Sequence, residues 1–308
     1  MSFVIKSTAE RAEAWSALFA ADLPDQTVEI WPDIADPSAV EFLAAWVPPP
    51  DLAKTFPNLK VLFSVGAGVD QLDLSAVPDH VQVVRMIEPG LTDGMVDYVR
   101  FAVLAIHRGM LRYVAQQREQ VWKAHSYRPA ADLTVGIMGL GQLGLPVIEA
   151  VRALGYRCQG WARSRRDIEG VRTFAGQQDL DAFLEGTDIL VCLLPLTAET
   201  TRLLARPLFS RLPRGAALIH CGRGKQLVMD DLMDALDDGT LGAAIVDVTD
   251  PEPLPTGHPL WSSPDVLITP HTASITQADT GGRSIVENLK RYRRGEALEG
   301  LVNRTAGY

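Results

Sequence analysis

Three charged or titratable side chains stand just beyond three short apolar runs in the last third of the chain: Arg223 after Ala217–Cys221, Glu252 after Ala243–Val248, and His271 after Val266–Pro270. If those runs are neighbouring parallel strands, their ends share one sheet edge, the edge at which open α/β sheets bind ligands. A guanidinium there can grip a carboxylate and an adjacent carbonyl oxygen in a planar fork and stabilise charge growing on that oxygen. An imidazolium can hand a proton to the same oxygen, and a nearby carboxylate favours its charged, proton-loaded form. Together they meet the needs of 2-keto acid reduction beside a hydride carrier. Taken singly each has an ordinary structural reading: an arginine that caps a helix, an acid in a Pro-rich turn, a lone histidine. Their common placement at successive strand ends is what singles them out.

A carrier site has its own signature upstream. The apolar run Leu133–Met138 leads straight into Gly139-Leu140-Gly141-Gln142-Leu143-Gly144, and a helical stretch follows to near Gly155. This is G-x-G-x-x-G in a strand–turn–helix context. The first glycine permits the tight turn, the second lets a pyrophosphate approach the backbone, and the third lets helix and strand pack closely, with the helix N-terminus presenting free N–H groups to the phosphates. The next strand candidate, Arg157–Trp161, ends about 20 residues on, where NAD enzymes carry Asp or Glu for the ribose hydroxyls. Here the chain reads Ala162-Arg163-Ser164-Arg165-Arg166. Guanidinium groups and a hydroxyl suit a 2′-phosphate, so NADP(H) is expected in preference to NAD(H).

The elements that must position these groups read as two α/β series. From residue 1 to about 90 the strand candidates are Phe3-Val4-Ile5, Val28–Trp31, Phe42–Val47, Leu59–Val65 and Val81–Met86. A long helix capped by Thr92 or Asp93 links them to a second series with candidates at Thr134–Met138, Arg157–Trp161, Ile189–Leu194, Ala217–Cys221, Ala243–Val248 and Val266–Thr269, and Thr276–Arg294 has helical composition. A chain of 308 residues has room for about two domains. The expected division is 1–98 plus 276–308 for a substrate-binding domain and 99–275 for a dinucleotide-binding domain.

Composition excludes other classes. With 29 Lys and Arg against 38 Asp and Glu, the net charge of −9 disfavours a nucleic-acid or anionic-membrane surface. Cys158, Cys192 and Cys221 form neither a paired disulfide framework nor a Cys-x-x-Cys motif, which points to a reducing compartment, the cytoplasm. No signal-peptide core and no apolar run of about 18 residues is present. His80, His107, His125, His220 and His258 read as structural, and nothing has metal-ligand spacing.

The chain resembles the D-isomer-specific 2-hydroxyacid dehydrogenase family, most closely its glyoxylate/hydroxypyruvate reductase branch. The resemblance rests on Ser64-Val65-Gly66-Ala67-Gly68-Val69-Asp70, Met95-Val96-Asp97-Tyr98, Gly139–Gly144, Trp161-Ala162-Arg163-Ser164-Arg165, Leu193-Leu194-Pro195-Leu196-Thr197, Gly222-Arg223-Gly224, Asp247-Val248, Pro251-Glu252-Pro253 and Thr269-Pro270-His271-Thr272-Ala273. It implies two Rossmann/flavodoxin-like doubly wound parallel-sheet domains with a cleft between them, and a homodimer. It implies that Arg223 binds substrate, that His271 is the acid/base and that Glu252 is its partner. Backbone N–H groups of Val65, Gly66 and Ala67 would hold the substrate carboxylate, with Trp46 closing the pocket. Asp247 would meet the nicotinamide carboxamide, Leu194, Pro195 and Cys221 would line the cofactor, and Arg163 and Arg165 would take the 2′-phosphate. Two departures stand out. Where relatives often read Asn-x-Ala-Arg-Gly this chain has His220-Cys221-Gly222-Arg223-Gly224, and where Asp-Val-Phe is common it has Asp247-Val248-Thr249. The same fold also hosts corepressors that sense the dinucleotide, so fold alone does not separate sensor from catalyst.

Overall fold

Apolar runs such as Val61–Ser64, Ile189–Cys192 and Ala216–His220 show no alternation of polar and apolar residues, and in the computed structural model they are buried on both faces, as parallel sheets require. The structure describes residues 1–304; the last four residues of the 276–308 span expected for the substrate-binding domain lie outside the described residues. In chain order the first elements are β1 (Ser2–Lys6), α1 (Ala9–Asp22), β2 (Thr27–Ile30), β3 (Val40–Ala45), α2 (Leu52–Thr55), β4 (Val61–Ser64) and β5 (Gln82–Val84). A long helix α3 (Pro89–His107) precedes α4 (Met110–Arg118), β6 (Thr134–Met138), α5 (Gly144–Ala153), β7 (Arg157–Ala162), β8 (Arg172–Ala175) and α6 (Leu180–Glu185). Then come β9 (Ile189–Cys192), α7 (Arg206–Phe209), β10 (Ala216–His220), α8 (Met229–Asp237), β11 (Leu241–Val246), β12 (Val266–Ile268) and α9 (Ala278–Arg293).

The chain divides into two compact units, one of Met1–Leu91 with the chain from Ile275, the other of Thr92–Ser274. The first holds an all-parallel sheet in the order β2-β1-β3-β4-β5, the flavodoxin-like winding. Helix α9 belongs to it because the returning chain is tied down: Thr276 Oγ1 donates to Val65 O at 2.7 Å, and Trp15 Nε1 on α1 donates to Ala278 O at 2.7 Å. Phe3, Trp15, Phe19, Phe42 and Phe63 pack with Ile285 and Leu289 in its core.

The second unit holds a parallel sheet in the order β12-β11-β10-β9-β6-β7-β8. Counted from β6 this is the Rossmann winding extended by one strand, and its order reverses between β6 and β9. Strand β8 was not expected; the run Arg-Thr-Phe-Ala is short and buries only Phe174 fully enough to leave a signal. The linking helix begins at Pro89 rather than at a Thr92 or Asp93 cap. Proline at a first helical position carries the right φ, and the buried Glu88 carboxylate accepts from Gly90 N at 2.6 Å, so capping is done at Glu88, before either expected cap. No helix among the described residues is long and apolar enough to cross a membrane.

Candidate active site

In the second unit β10, β11 and β12 are neighbours, with Ile219 paired to Ile245 and Ala244 to Val266, so the loops that follow them leave one sheet edge. Those loops interlock. A Cβ on Gly224 would lie 1.9 Å from Thr249 O, so the Arg223 loop meets the loop after β11 backbone to backbone, an approach that only glycine allows. Thr249 N donates to Glu252 Oε1 at 3.1 Å, and Glu252 Oε2 stands 3.0 Å from His271 Nδ1. The loops carrying Arg223, Glu252 and His271 are thus joined by direct contacts. The His271 and Glu252 side chains keep 34% and 40% exposure, so the pair can be reached by a ligand.

His271 is held in the left-handed region at φ 54°, which a non-glycine residue adopts only when its surroundings impose it. Here its N–H donates to Asp247 O at 2.8 Å and Thr269 O at 3.1 Å. The buried Asp247 carboxylate closes the turn from the other side, accepting from Thr269 Oγ1 (2.6 Å), Thr272 N (2.8 Å) and Ala273 N (2.9 Å). Tyr98 on α3 shares a 2.5 Å hydrogen bond with Thr269 Oγ1. Asp247, placed by resemblance at the carboxamide, is therefore also the clamp of the histidine turn.

His220 ends β10 fully buried, with Nε2 at 2.9 Å from Arg223 O. Burial drives its imidazole down from 6.5 to about 4; the Arg223 carbonyl opposes that shift and the Arg223 charge adds to it. Below pH 6.5 the unfolded chain then binds a proton that the folded one refuses. Stability should fall as pH drops from 6.5 to about 4, by on the order of 3 kcal/mol for this group, and this contribution should be flat above that window. Thermal unfolding of the parent and of His220→Gln at pH 7 and pH 4.5 checks this. The variant should lose less on acidification, and an equal loss would assign the acid sensitivity to other groups.

The glycine turn after β6 has the geometry that dinucleotide binding requires. Gly139 has φ +104°, and a Cβ on it would lie 2.8 Å from Leu193 O, which seats the turn against the Leu193–Leu194 backbone after β9. Gly144 touches the Gly139 carbonyl so closely that a Cβ would sit 1.8 Å from it. Gly141 has no atom within 4 Å of where its Cβ would be. The residue that must admit a pyrophosphate is thus the open one, and the residues that must pack are the closed ones. Leu140 and Leu194 are buried, Gln142 is exposed and Leu143 is half-buried. The carbonyls of Leu194 and Pro195 accept from Gln226 Nε2, and Cys221 is buried with its thiol pushed well above the ordinary range. Arg163, Ser164 and Arg165 follow β7, the strand beside β6, with Ser164 and Arg165 exposed. These residues fit a nicotinamide dinucleotide.

In the first unit β3 and β4 are neighbours, so Trp46 and Gly66 leave the same sheet edge. The Trp46 ring lies on the Gly66 backbone, where a Cβ would meet Trp46 Cζ3 at 2.5 Å. Of the three amides implied for a carboxylate, Val65 N donates to Ala45 O at 3.3 Å and Gly66 N to Ser64 Oγ at 3.3 Å, whereas Ala67 is half-buried at the turn's apex.

Sequence reasoning gave no site role to the supporting polar groups Gln226, Thr269, Thr272 and Tyr98, and read His220 as structural while marking its departure from the family pattern. The cue for His220 was an imidazole in an otherwise apolar run. His107, His125 and His258 hold structural bonds, to Tyr156 Oη, Gln116 Oε1 and Leu260 N.

A family model described as D-isomer specific 2-hydroxyacid dehydrogenase, NAD binding domain, matches residues 101–273. A glyoxylate/hydroxypyruvate reductase A from Serratia proteamaculans is 36% identical over 303 residues, covering 96% of each chain. Among solved structures, an NADPH-dependent glyoxylate/hydroxypyruvate reductase from Sinorhizobium meliloti, in complex with NADP and sulfate, is 37% identical with a TM-score of 0.93 over 100% of both chains. A D-isomer specific 2-hydroxyacid dehydrogenase from Xanthobacter autotrophicus Py2, in complex with NADPH and MES, is 36% identical with a TM-score of 0.93, covering 100% of this chain and 99% of the other.

Proposed function

The chain belongs to the D-isomer specific 2-hydroxyacid dehydrogenase family and is an NAD(P)-dependent oxidoreductase, and from that premise we propose that it reduces glyoxylate or hydroxypyruvate to the 2-hydroxy acid with NADPH, His271 giving the proton. The observation that carries the reading is the contact chain from the Arg223 loop through Thr249 and Glu252 to His271 Nδ1. The bound nicotinamide supplies the hydride. Arg223 grips the carboxylate and keto oxygen and stabilises the charge that develops there. With Nδ1 engaged by Glu252, which orients the ring, His271 Nε2 is the nitrogen that delivers a proton to that oxygen. The unit of Thr92–Ser274 is proposed to hold the dinucleotide; in the other unit Trp46 and Ala67 are proposed to take a carboxylate, the Val65 and Gly66 amides being engaged by Ala45 O and Ser64 Oγ.

The two NADP(H)-bound structures described above, and the absence of a carboxylate at Arg163-Ser164-Arg165, support NADPH over NADH. Charge-assisted hydrogen bonds contribute about 1.5–3 kcal/mol each, so replacing both Arg163 and Arg165 by Ala should lower kcat/KM with NADPH about 100-fold or more. The NADH value should stay within a few-fold. Steady-state kinetics with glyoxylate, hydroxypyruvate and larger 2-keto acids, using both cofactors, tests the whole proposal. No turnover of any 2-keto acid would defeat it, and equal efficiency with NADH would defeat the cofactor part. Three free cysteines support a reducing, cytoplasmic setting. Exposed Phe101, Leu104, Met110, Val114 and Trp122 on and after α3 and α4 support a homodimer, which sedimentation at the mass of two chains would check.

A further inference from the structure

Resting on the reading of Arg223 as the guanidinium that holds the keto acid, we propose that His220 is a positioning residue for it, its Nε2–H and the Gln226 amide bracing the Arg223 backbone from two sides. His220 and Gln226 are both fully buried. Arg223 N donates to Gln226 Oε1 at 2.7 Å. Arg223 O accepts from Gln226 N at 2.9 Å and lies 2.9 Å from His220 Nε2. A carbonyl only accepts, so Nε2 carries the hydrogen and the imidazole is the Nε2–H tautomer. Nδ1 is buried without a hydrogen-bond partner.

An apolar side chain would fill the end of β10 without burying that unpaired nitrogen, as Leu218 and Ile219 do two and one positions before it. The imidazole is therefore not explained by packing. What it adds is a donor aimed at the Arg223 peptide. Gln226 is itself fixed, its Nε2 donating to Leu194 O (3.2 Å) and Pro195 O (3.0 Å) and its Oε1 lying 2.1 Å from where a Gly222 Cβ would be. Arg223 Nη1 donates back to Gly222 O at 2.8 Å. The peptide groups on both sides of the Arg223 Cα are thus bound by side chains that have no room to move, which fixes the base from which the guanidinium projects.

The test compares His220→Leu, which keeps bulk and removes the donor, with His220→Gln, whose Nε2 reaches about as far as the imidazole Nε2. Glyoxylate and NADPH are the probes, and Arg223→Ala is the reference. His220→Leu should raise the glyoxylate KM about ten-fold or more and leave the NADPH KM within about two-fold. His220→Gln should recover most of the loss. An unchanged glyoxylate KM in His220→Leu, equal damage in His220→Gln, or a matching rise in the NADPH KM would overturn the inference. If Arg223→Ala leaves the glyoxylate KM unchanged, the reading of Arg223 falls and the inference with it; if only His220→Leu is silent, the inference alone falls. Should His220→Leu fail to fold, nitrogen NMR of the parent decides: Nε2–H with no titration above pH 5 supports the brace, and Nδ1–H or a ring titrating near 6.5 removes it.

Discussion

Replacing His271 by Ala lowers kcat for 2-keto acid reduction by about 10²- to 10⁴-fold and leaves the NADPH dissociation constant within about two-fold of the parent. The imidazole is the group proposed to protonate the keto oxygen, and it stands after β12, whereas the glycine turn follows β6 and the arginine loop follows β7 on the far side of the sheet order. Chemistry should suffer, and cofactor affinity should not. Alanine is the right probe because it keeps a Cβ. The backbone at φ 54° is imposed by Asp247 O and Thr269 O, and glycine would relax that turn and confuse loss of a proton donor with loss of its support. Pre-steady-state turnover with deuterated NADPH would confirm that the slowed step is the chemical one. A variant that retains kcat would remove His271 from the mechanism and leave its Glu252 contact without a catalytic role.

How far such a site can be read from residues alone depends on what kind of force places each one. The glycine turn and the three strand ends were legible because they follow from period and punctuation: apolar runs buried on both faces, each ended by a turn, must align in a parallel sheet. Two classes of feature were not. The start of α3 was misplaced because a buried Glu88, remote from any apolar period, caps it. The clamp of Asp247 on Thr269, Thr272 and Ala273, and the brace of His220 and Gln226 on Arg223, depend on which polar side chains end up beside which backbone after the strands have aligned. Hydrogen bonding between the Asp247 and His271 loops, more than twenty residues apart, leaves no periodic trace, and neither does a polar side chain bonding to backbone three residues along the same loop. The same loops carry the proposed proton donor and the proposed substrate guanidinium, so the part of the molecule that sequence pattern describes least is the part that orients the reacting groups.

The two glycines Gly141 and Gly144 should separate affinity from stability most sharply. Gly144 opens α5, where Ala would ordinarily stabilise a helix by up to about 1 kcal/mol. Its Cβ, however, would sit 1.8 Å from the Gly139 carbonyl oxygen, and the obstacle is backbone fixed by the 2.9 Å bond from Gly139 N to Trp161 O. The helix would have to back away from β6, parting Val147, Ile148 and Val151 from Val135 and Ile137 in the core. Gly144→Ala should therefore destabilise by about 3 kcal/mol, an overpacking effect larger than the helix-propensity gain. A Cβ at Gly141 meets nothing within 4 Å, so the unfolding free energy of Gly141→Val should stay within about 1 kcal/mol of the parent. That same open space is where a pyrophosphate would approach the backbone, so Gly141→Val should weaken NADPH binding about 100-fold or more, because filling it with two methyl groups removes the backbone hydrogen bonds to the phosphates. Urea unfolding and NADPH fluorescence titration of both variants measure the two quantities independently. A stable Gly144→Ala would mean that α5 can slide on β6, and a Gly141→Val that still binds NADPH tightly would move the pyrophosphate away from this turn.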